Sequence, residues 1–201
     1  MVDVSTIEMA VVGSGGFADA LASKLGTAVQ AFDSPLPTGL DGVVVVFDEP
    51  TETVFADVDE PLWHRLAHEP VRRTMSTLRS AWSALRASGG RIVVVLPTLG
   101  LPGSAHLVPY TTAVEGIRAM TKSAARQWSG HGVTANMVAV PLHLIAPSLD
   151  SLAAHLTAPA VENPATLLDD VAQTTTFLLR RDIDHLVGQT LVVDGGSVML
   201  P

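Results

Sequence analysis

Apolar residues recur along the chain with two different spacings. Ile7–Val12 (IEMAVV) is a short continuous run that predicts a buried strand. It leads into Gly13-Ser14-Gly15-Gly16 and then a helical spacing through Leu25. Residues 28–32 (AVQAF) predict a second short strand, followed by a Pro- and Gly-rich connection, SPLPTGLDG. GVVVVF (42–47) is a β-branched run of the kind that suits a strand covered on both faces. Residues 70–88 place Val71, Met75, Leu78, Trp82 and Leu85 three or four apart, which predicts an amphipathic helix closed by Gly89-Gly90. RIVVVL (91–96) predicts a further buried strand. After the loop PTLGLPGSAHL, residues 109–129 predict a long helix with Tyr110, Val114, Ile117, Thr121, Ala124 and Trp128 on one stripe. HGVTANMVAV (131–140) reads as a turn and strand, 165–181 as a helix, and QTLVVDGG (189–196) as a last strand ending in a turn.

Strands alternating with helices imply an α/β domain: a mostly parallel sheet, helices on both faces and right-handed crossovers. No internal repeat, low-complexity tract or linker interrupts residues 1–201, so a single domain is expected. A hydrophobic fraction of 47% against 16% charged residues suits a packed core. The net charge of -8 disfavours a nucleic-acid partner, which would need a basic face. The chain has no cysteine, which excludes disulfides, thiolate nucleophiles and cysteine metal sites. Of seven histidines only His64 and His68 share an i, i+4 spacing. They lack an obvious third ligand and sit among charged residues, so the pair reads as a solvated helix face and no metal is expected. The N-terminus carries no basic region followed by an apolar run, and the apolar stretch 137–147 is too short to cross a bilayer. A cytoplasmic chain without a membrane partner is expected.

Three stretches together resemble the short-chain dehydrogenase/reductase family. They are HLVGQTLVVDGG (185–196), YTTAVEGIRAMTKSAARQWSGHGVTANMVAV (110–140, including Asn136) and GGRIVVVLPTLG (89–100). The resemblance implies a Rossmann-like doubly wound parallel sheet. The chain is short for the family. The missing length falls between residues 33 and 41, so part of the second βαβ region, with much of the adenine pocket, is expected to be lacking. In that family a tyrosine exchanges a proton with the substrate oxygen, a lysine one helical turn later lowers the tyrosine pKa and binds the nicotinamide ribose, a serine polarises the carbonyl, and an asparagine completes a proton relay. A phenol with its ordinary pKa near ~10 is a poor base at neutral pH, and a cation on the same helix face favours the phenolate.

Against that pattern Tyr110 stands at the tyrosine position, but the lysine position holds Val114 and the serine position Pro97. Lys122 lies three turns away and is no substitute. Thr98 and Ser104 are near neighbours that do not match the motif, and Pro70 is near the expected place of the relay asparagine. Phe47-Asp48-Glu49-Pro50 replaces the family's Asn-Asn-Ala-Gly, which sets two carboxylates where a dinucleotide would lie. Val140-Pro141 stands for Pro-Gly. In the Gly-rich turn Val12 replaces a threonine and Ala18 the third glycine, leaving Gly13, Gly15 and Gly16 as candidate phosphate-binding positions, with Asp19 in the first helical turn opposing a pyrophosphate. A tight strand-to-helix connection explains the same glycines equally well. Asp33 follows the second strand and could accept a ribose hydroxyl, though it also reads as a surface turn residue.

Three functions are then in play. The first is a family member with a degraded active site, serving as a non-catalytic subunit or partner of an active reductase. Its expected cofactor status is none, or NAD(P) with weakened binding. The resemblance implies a homo- or hetero-oligomer through helices 70–88 and 109–129, with Met75, Trp82, Met120 and Trp128 as core or interface candidates and DGGSVMLP (194–201) as a second contact. The second is an NAD(P)-dependent oxidoreductase acting on a carbonyl or alcohol through Tyr110, assisted by Thr98, Ser104 or His106. The third is hydrolase or lyase chemistry with Asp48, Glu49 and His106 on a retained scaffold.

Overall fold

The computed structural model describes residues 7–161 and 163–199. β1 (Met9–Val12), β2 (Val29–Gln30), β3 (Gly42–Val46), β4 (Gly90–Pro97), β5 (Val133–Val140) and β6 (Thr190–Val192) form one sheet in the order β2-β1-β3-β4-β5-β6. Every pairing is parallel. All residues of β3, β4 and β5 are buried. Alternate side chains of β3 point to opposite sides: Val43 and Val45 join one hydrophobic cluster with Leu78, Leu85 and Ile117, and Val44 and Val46 join another with Leu21, Val171 and Leu179. Helices on both faces are why these strands carry unbroken valine runs instead of alternating with polar residues. Each fully buried valine or leucine contributes roughly 1.5–3 kcal/mol relative to its exposed state.

The expected shortening is visible in the topology. After β2 the chain passes over the end of β1 to β3 through turn and coil, with no helix or strand between. β2 is therefore the sheet edge where a fuller doubly wound sheet would continue.

The helices are α1 (Gly16–Lys24), α2 (Glu60–Trp63), α3 (Glu69–Leu85), α4 (Val108–Trp128), α5 (Leu142–Ile145) and α6 (Pro164–Leu179). The expected helix 70–88 differs at both ends. It is preceded by α2 and a π-helical turn, His64–His68, and it stops at Leu85. Pro70 has no N–H to offer the carbonyl four residues back, so the backbone widens ahead of it instead of running straight. Gly90 does not close the helix but begins β4. The buried stripe of α3 is also rotated from the expected one. Thr74, Thr77, Leu78 and Ala81 face inward, Val71 and Trp82 are half-buried, and Met75 is exposed. On α4, Ala125 takes the buried position expected of Ala124, and Arg118 joins the stripe.

One buried polar group ties the far end of the molecule together. The Arg91 guanidinium on β4 donates to the carbonyls of Arg180, Arg181 and Ile183 just beyond α6 and to the Asp184 carboxylate, at 2.8–3.3 Å. It thereby supplies hydrogen-bond donors to carbonyls that a helix end leaves unmatched.

Candidate functional site

The carboxyl ends of β1, β3 and β4 meet the start of α4 and the first turns of α3, and the candidate residues gather there. Gly13 is fixed by packing: a Cβ on it would stand 3.0 Å from the Val46 side chain and 3.2 Å from that of Ala18. Gly15 starts α1 at φ 86, a left-handed value that favours glycine, and offers no side-chain cap. Nothing crowds Gly16. The helix N-terminus that these glycines form is met by the segment following β3. A Glu49 carboxylate oxygen lies 2.9 Å from where a Cβ on Gly15 would be.

Asp48 is the hub of this segment. Its carboxylate accepts a hydrogen bond from the Ser14 hydroxyl at 2.7 Å and pairs with Arg73 of α3. Its main-chain carbonyl accepts the Tyr110 hydroxyl at 2.9 Å. The Arg73 guanidinium lies over the Phe32 ring, 5.1 Å from its centroid. The cavity beyond β2, lined by Val12, Asp33, Leu36, Ser76, Thr77 and Ser80 among others, is only about 10 Å³. Asp33 sits in the turn after β2 at φ 65, with an Arg72 nitrogen 3.9 Å from its carboxylate.

Tyr110 is 4% exposed and packs against Phe47 with ring centroids 5.1 Å apart. Burial pushes its phenol pKa well above the ordinary tyrosine value, and the Asp48 and Glu49 carboxylates push it further the same way. The i+4 position that would hold a compensating cation is Val114, fully buried against Gly100. Pro97 ends β4, and the Thr98 hydroxyl next to it is buried and donates to the Val140 carbonyl at 3.3 Å. The Ser104 hydroxyl donates to the Leu152 carbonyl. His106 is exposed at φ 62, and its carbonyl accepts the Thr53 amide. Lys122 is exposed near Gly188 on α4. Asn136 is buried in β5, where its side chain donates to the Leu186 carbonyl and accepts the Gln189 amide, fixing the approach to β6. The fold thus brings Gly13, Gly15, Asp48, Glu49 and Tyr110 together and leaves Ser104, His106 and Lys122 tied or turned elsewhere.

Arg73 and Ser14 were not singled out by sequence reasoning. Arg73 reads as one more charged residue on an amphipathic helix, and only the approach of α3 to β3 gives it Asp48 as a partner. The His64–His68 pair has a local role: His68 Nε2 accepts the Trp63 indole N–H at 3.2 Å. Trp82 and Trp128 stack at 5.2 Å with His131 against the edge of Trp82, which joins α3 to the end of α4 within the chain.

A separate, much larger cavity of about 970 Å³ opens at the carboxyl ends of β4, β5 and β6, with Thr98, Leu142, Leu156, Leu167, Val192 and Asp194 among its lining. Tyr110 is not part of that lining. No helix among the described residues is long and apolar enough to cross a membrane.

The comparisons with known proteins agree with this architecture. A family model described as enoyl-(acyl carrier protein) reductase matches residues 22–198. The chain is 28% identical over 181 residues to the short-chain dehydrogenase/reductase aba4 of Botryotinia fuckeliana, which covers 85% of this chain and 65% of that protein. It therefore spans less than two thirds of that relative. It is 26% identical over 212 residues to the (3R)-3-hydroxyacyl-CoA dehydrogenase of Mus musculus, covering 94% of this chain and 80% of the relative. A shorter match, 30% identical over 119 residues, joins 57% of the chain to 48% of the 3-oxoacyl-(acyl-carrier-protein) reductase FabG of Staphylococcus aureus. With a parallel six-stranded sheet in the shortened doubly wound order and a family match over nearly its whole length, the chain belongs to the short-chain dehydrogenase/reductase family.

Proposed function

We propose that this chain is a non-catalytic member of its family, an oxidoreductase scaffold with a degraded active site that serves as a subunit or partner of an active reductase. The observation that carries the reading is the use made of Tyr110. Its hydroxyl is spent on the Asp48 carbonyl inside the protein, with no cation to favour the phenolate and two carboxylates to oppose it. A group held neutral well above its usual pKa cannot act as a base near neutral pH.

The groups at the Gly-rich turn do not fit a dinucleotide. A pyrophosphate seated on the α1 N-terminus would meet Glu49. At an effective dielectric of about 20, two unit charges ~4 Å apart repel by on the order of 4 kcal/mol, which outweighs the ~0.3–1 kcal/mol that a helix N-terminus typically offers an anion. On the adenine side the cavity beside Val12, Asp33 and Leu36 is only about 10 Å³, too small for a base. The partner surface of the proposal is the outer face of α3 and α4, where Met75 is exposed and Trp82, Met120 and Trp128 are half-buried.

The second reading, an NAD(P)-dependent oxidoreductase of a carbonyl or alcohol acting through Tyr110, draws its support from family membership and the retained tyrosine. Calorimetric titration with NADH and NADPH separates the two. No heat at millimolar cofactor is expected, and a micromolar dissociation constant would refute the non-catalytic reading. Size-exclusion chromatography with light scattering tests the partner surface. An oligomer that a Trp128→Glu variant dissociates is expected, whereas an oligomer unchanged by that variant would remove α4 from the interface.

A further inference from the structure

The large cavity at the ends of β4–β6 is built from segments that hold one another in place. On one side the Ser104 hydroxyl and the Gly103 carbonyl fasten the wall at Leu152 and His155. On the other, the amides of Ala160 and Val161 donate to the Gly195 carbonyl at 2.7 and 3.2 Å. The turn that receives them is set by Asp194, whose carboxylate accepts the amides of Gly196, Ser197 and Val198. Inside, Leu142, Ala153, Leu156, Leu167 and Val192 give an apolar surface. At about 970 Å³ the volume lies at the upper end of the ~300–1,000 Å³ range of small-molecule pockets.

Its charges all have one sign. No lysine or arginine lies among the described lining residues. Of the three aspartates, Asp194 is consumed by backbone amides, and Asp150 has His143 Nδ1 at 3.6 Å. Asp170 on α6 is exposed and has no cation within ion-pair distance among the described residues. A carboxylate or phosphate entering here would find no counter-charge and a chain of net charge -8 around it. An ammonium group would find Asp170.

We infer that this cavity binds an apolar amine, its hydrocarbon body among the leucines and its ammonium group at Asp170, and that it discriminates against anionic ligands of the same length. This specificity rests on the non-catalytic reading only in that the ligand is held rather than transformed: the cavity lacks Tyr110, and its one fully buried hydroxyl, Thr98, is engaged with the Val140 carbonyl.

The test is displacement of a neutral apolar fluorophore, N-phenyl-1-naphthylamine, by octylamine, octanol and octanoate. The amine should compete best and the carboxylate worst. Asp170→Asn should weaken octylamine on the order of fivefold, the upper part of what a solvent-exposed ion pair supplies, and leave octanol unchanged. Ala153→Trp, which puts a large ring into the apolar wall, should weaken fluorophore binding with the fold retained by circular dichroism. Octanoate competing as well as octylamine, or an Asp170→Asn variant that loses octanol and octylamine alike, would overturn the assignment. So would a fluorophore affinity unchanged by Ala153→Trp. A separate incubation with NADPH and octanal, whose carbonyl would accept the hydride and leave as octanol, keeps the two readings apart. Oxidation of NADPH would refute the non-catalytic reading while leaving the amine preference standing, and absence of fluorophore binding would refute the amine pocket alone.

Discussion

Tyr110 is the chain's only tyrosine, so its ionisation can be read without assignment. Two perturbations follow from its surroundings. The first is pH. Its folded-state pKa is raised, by burial first and by Asp48 and Glu49 second, above the value near ~10 that it takes in the unfolded chain. The neutral phenol's contribution to stability is therefore fully present below about pH 10 and is lost as pH rises from there toward the folded-state pKa. The phenolate absorbance band near 295 nm should stay flat through pH 10 in the native protein, rising only as the fold is lost. In denaturant it should rise with a midpoint near ~10. The second perturbation is Tyr110→Phe, which keeps the ring against Phe47 and removes only the 2.9 Å bond to the Asp48 carbonyl. A hydrogen bond whose acceptor is left unmatched costs about 1–2 kcal/mol, readable as a lower urea midpoint at constant slope. A native-state absorbance step at or below pH 10, or a Tyr110→Phe variant as stable as the parent, would refute the structural role assigned to this hydroxyl. A catalytic tyrosine would titrate in the opposite direction, below its unperturbed value.

Two further outcomes follow from packing. Arg91→Met should destabilise the fold by about 1–3 kcal/mol in urea unfolding, because it strands the carbonyls beyond α6, and an unchanged urea midpoint would show that water replaces the guanidinium without penalty. Val114→Lys restores the family's residue type at a site with no solvent access. It should cost roughly 3 kcal/mol or more through an unpaired buried ammonium and yield no NADPH binding by calorimetry, and micromolar NADPH affinity in that variant would instead locate the block at position 114 alone.

Much of the architecture is legible in the sequence because it depends on local period and composition. The valine runs at 43–46 and 93–95 need cover on both faces, which a parallel sheet between helix layers provides. The short connection after Gln30 is too brief for a further helix and strand, so the shortened edge is also fixed by length alone. The substitutions Val114 and Pro97 are equally plain in the chain, since they are departures from a residue pattern. Tertiary structure decided the rest. Which face of α3 turns inward depended on how closely it approaches the sheet, so threonines and alanine join Leu78 and Leu85 on the buried side while Met75 is exposed. The partners of Asp48 come from positions 14, 73 and 110, and the guanidinium of Arg91 meets carbonyls some ninety residues away. The large cavity is walled by segments from four parts of the chain. Such contacts are set by the crossing of elements distant in sequence, and no local period encodes them.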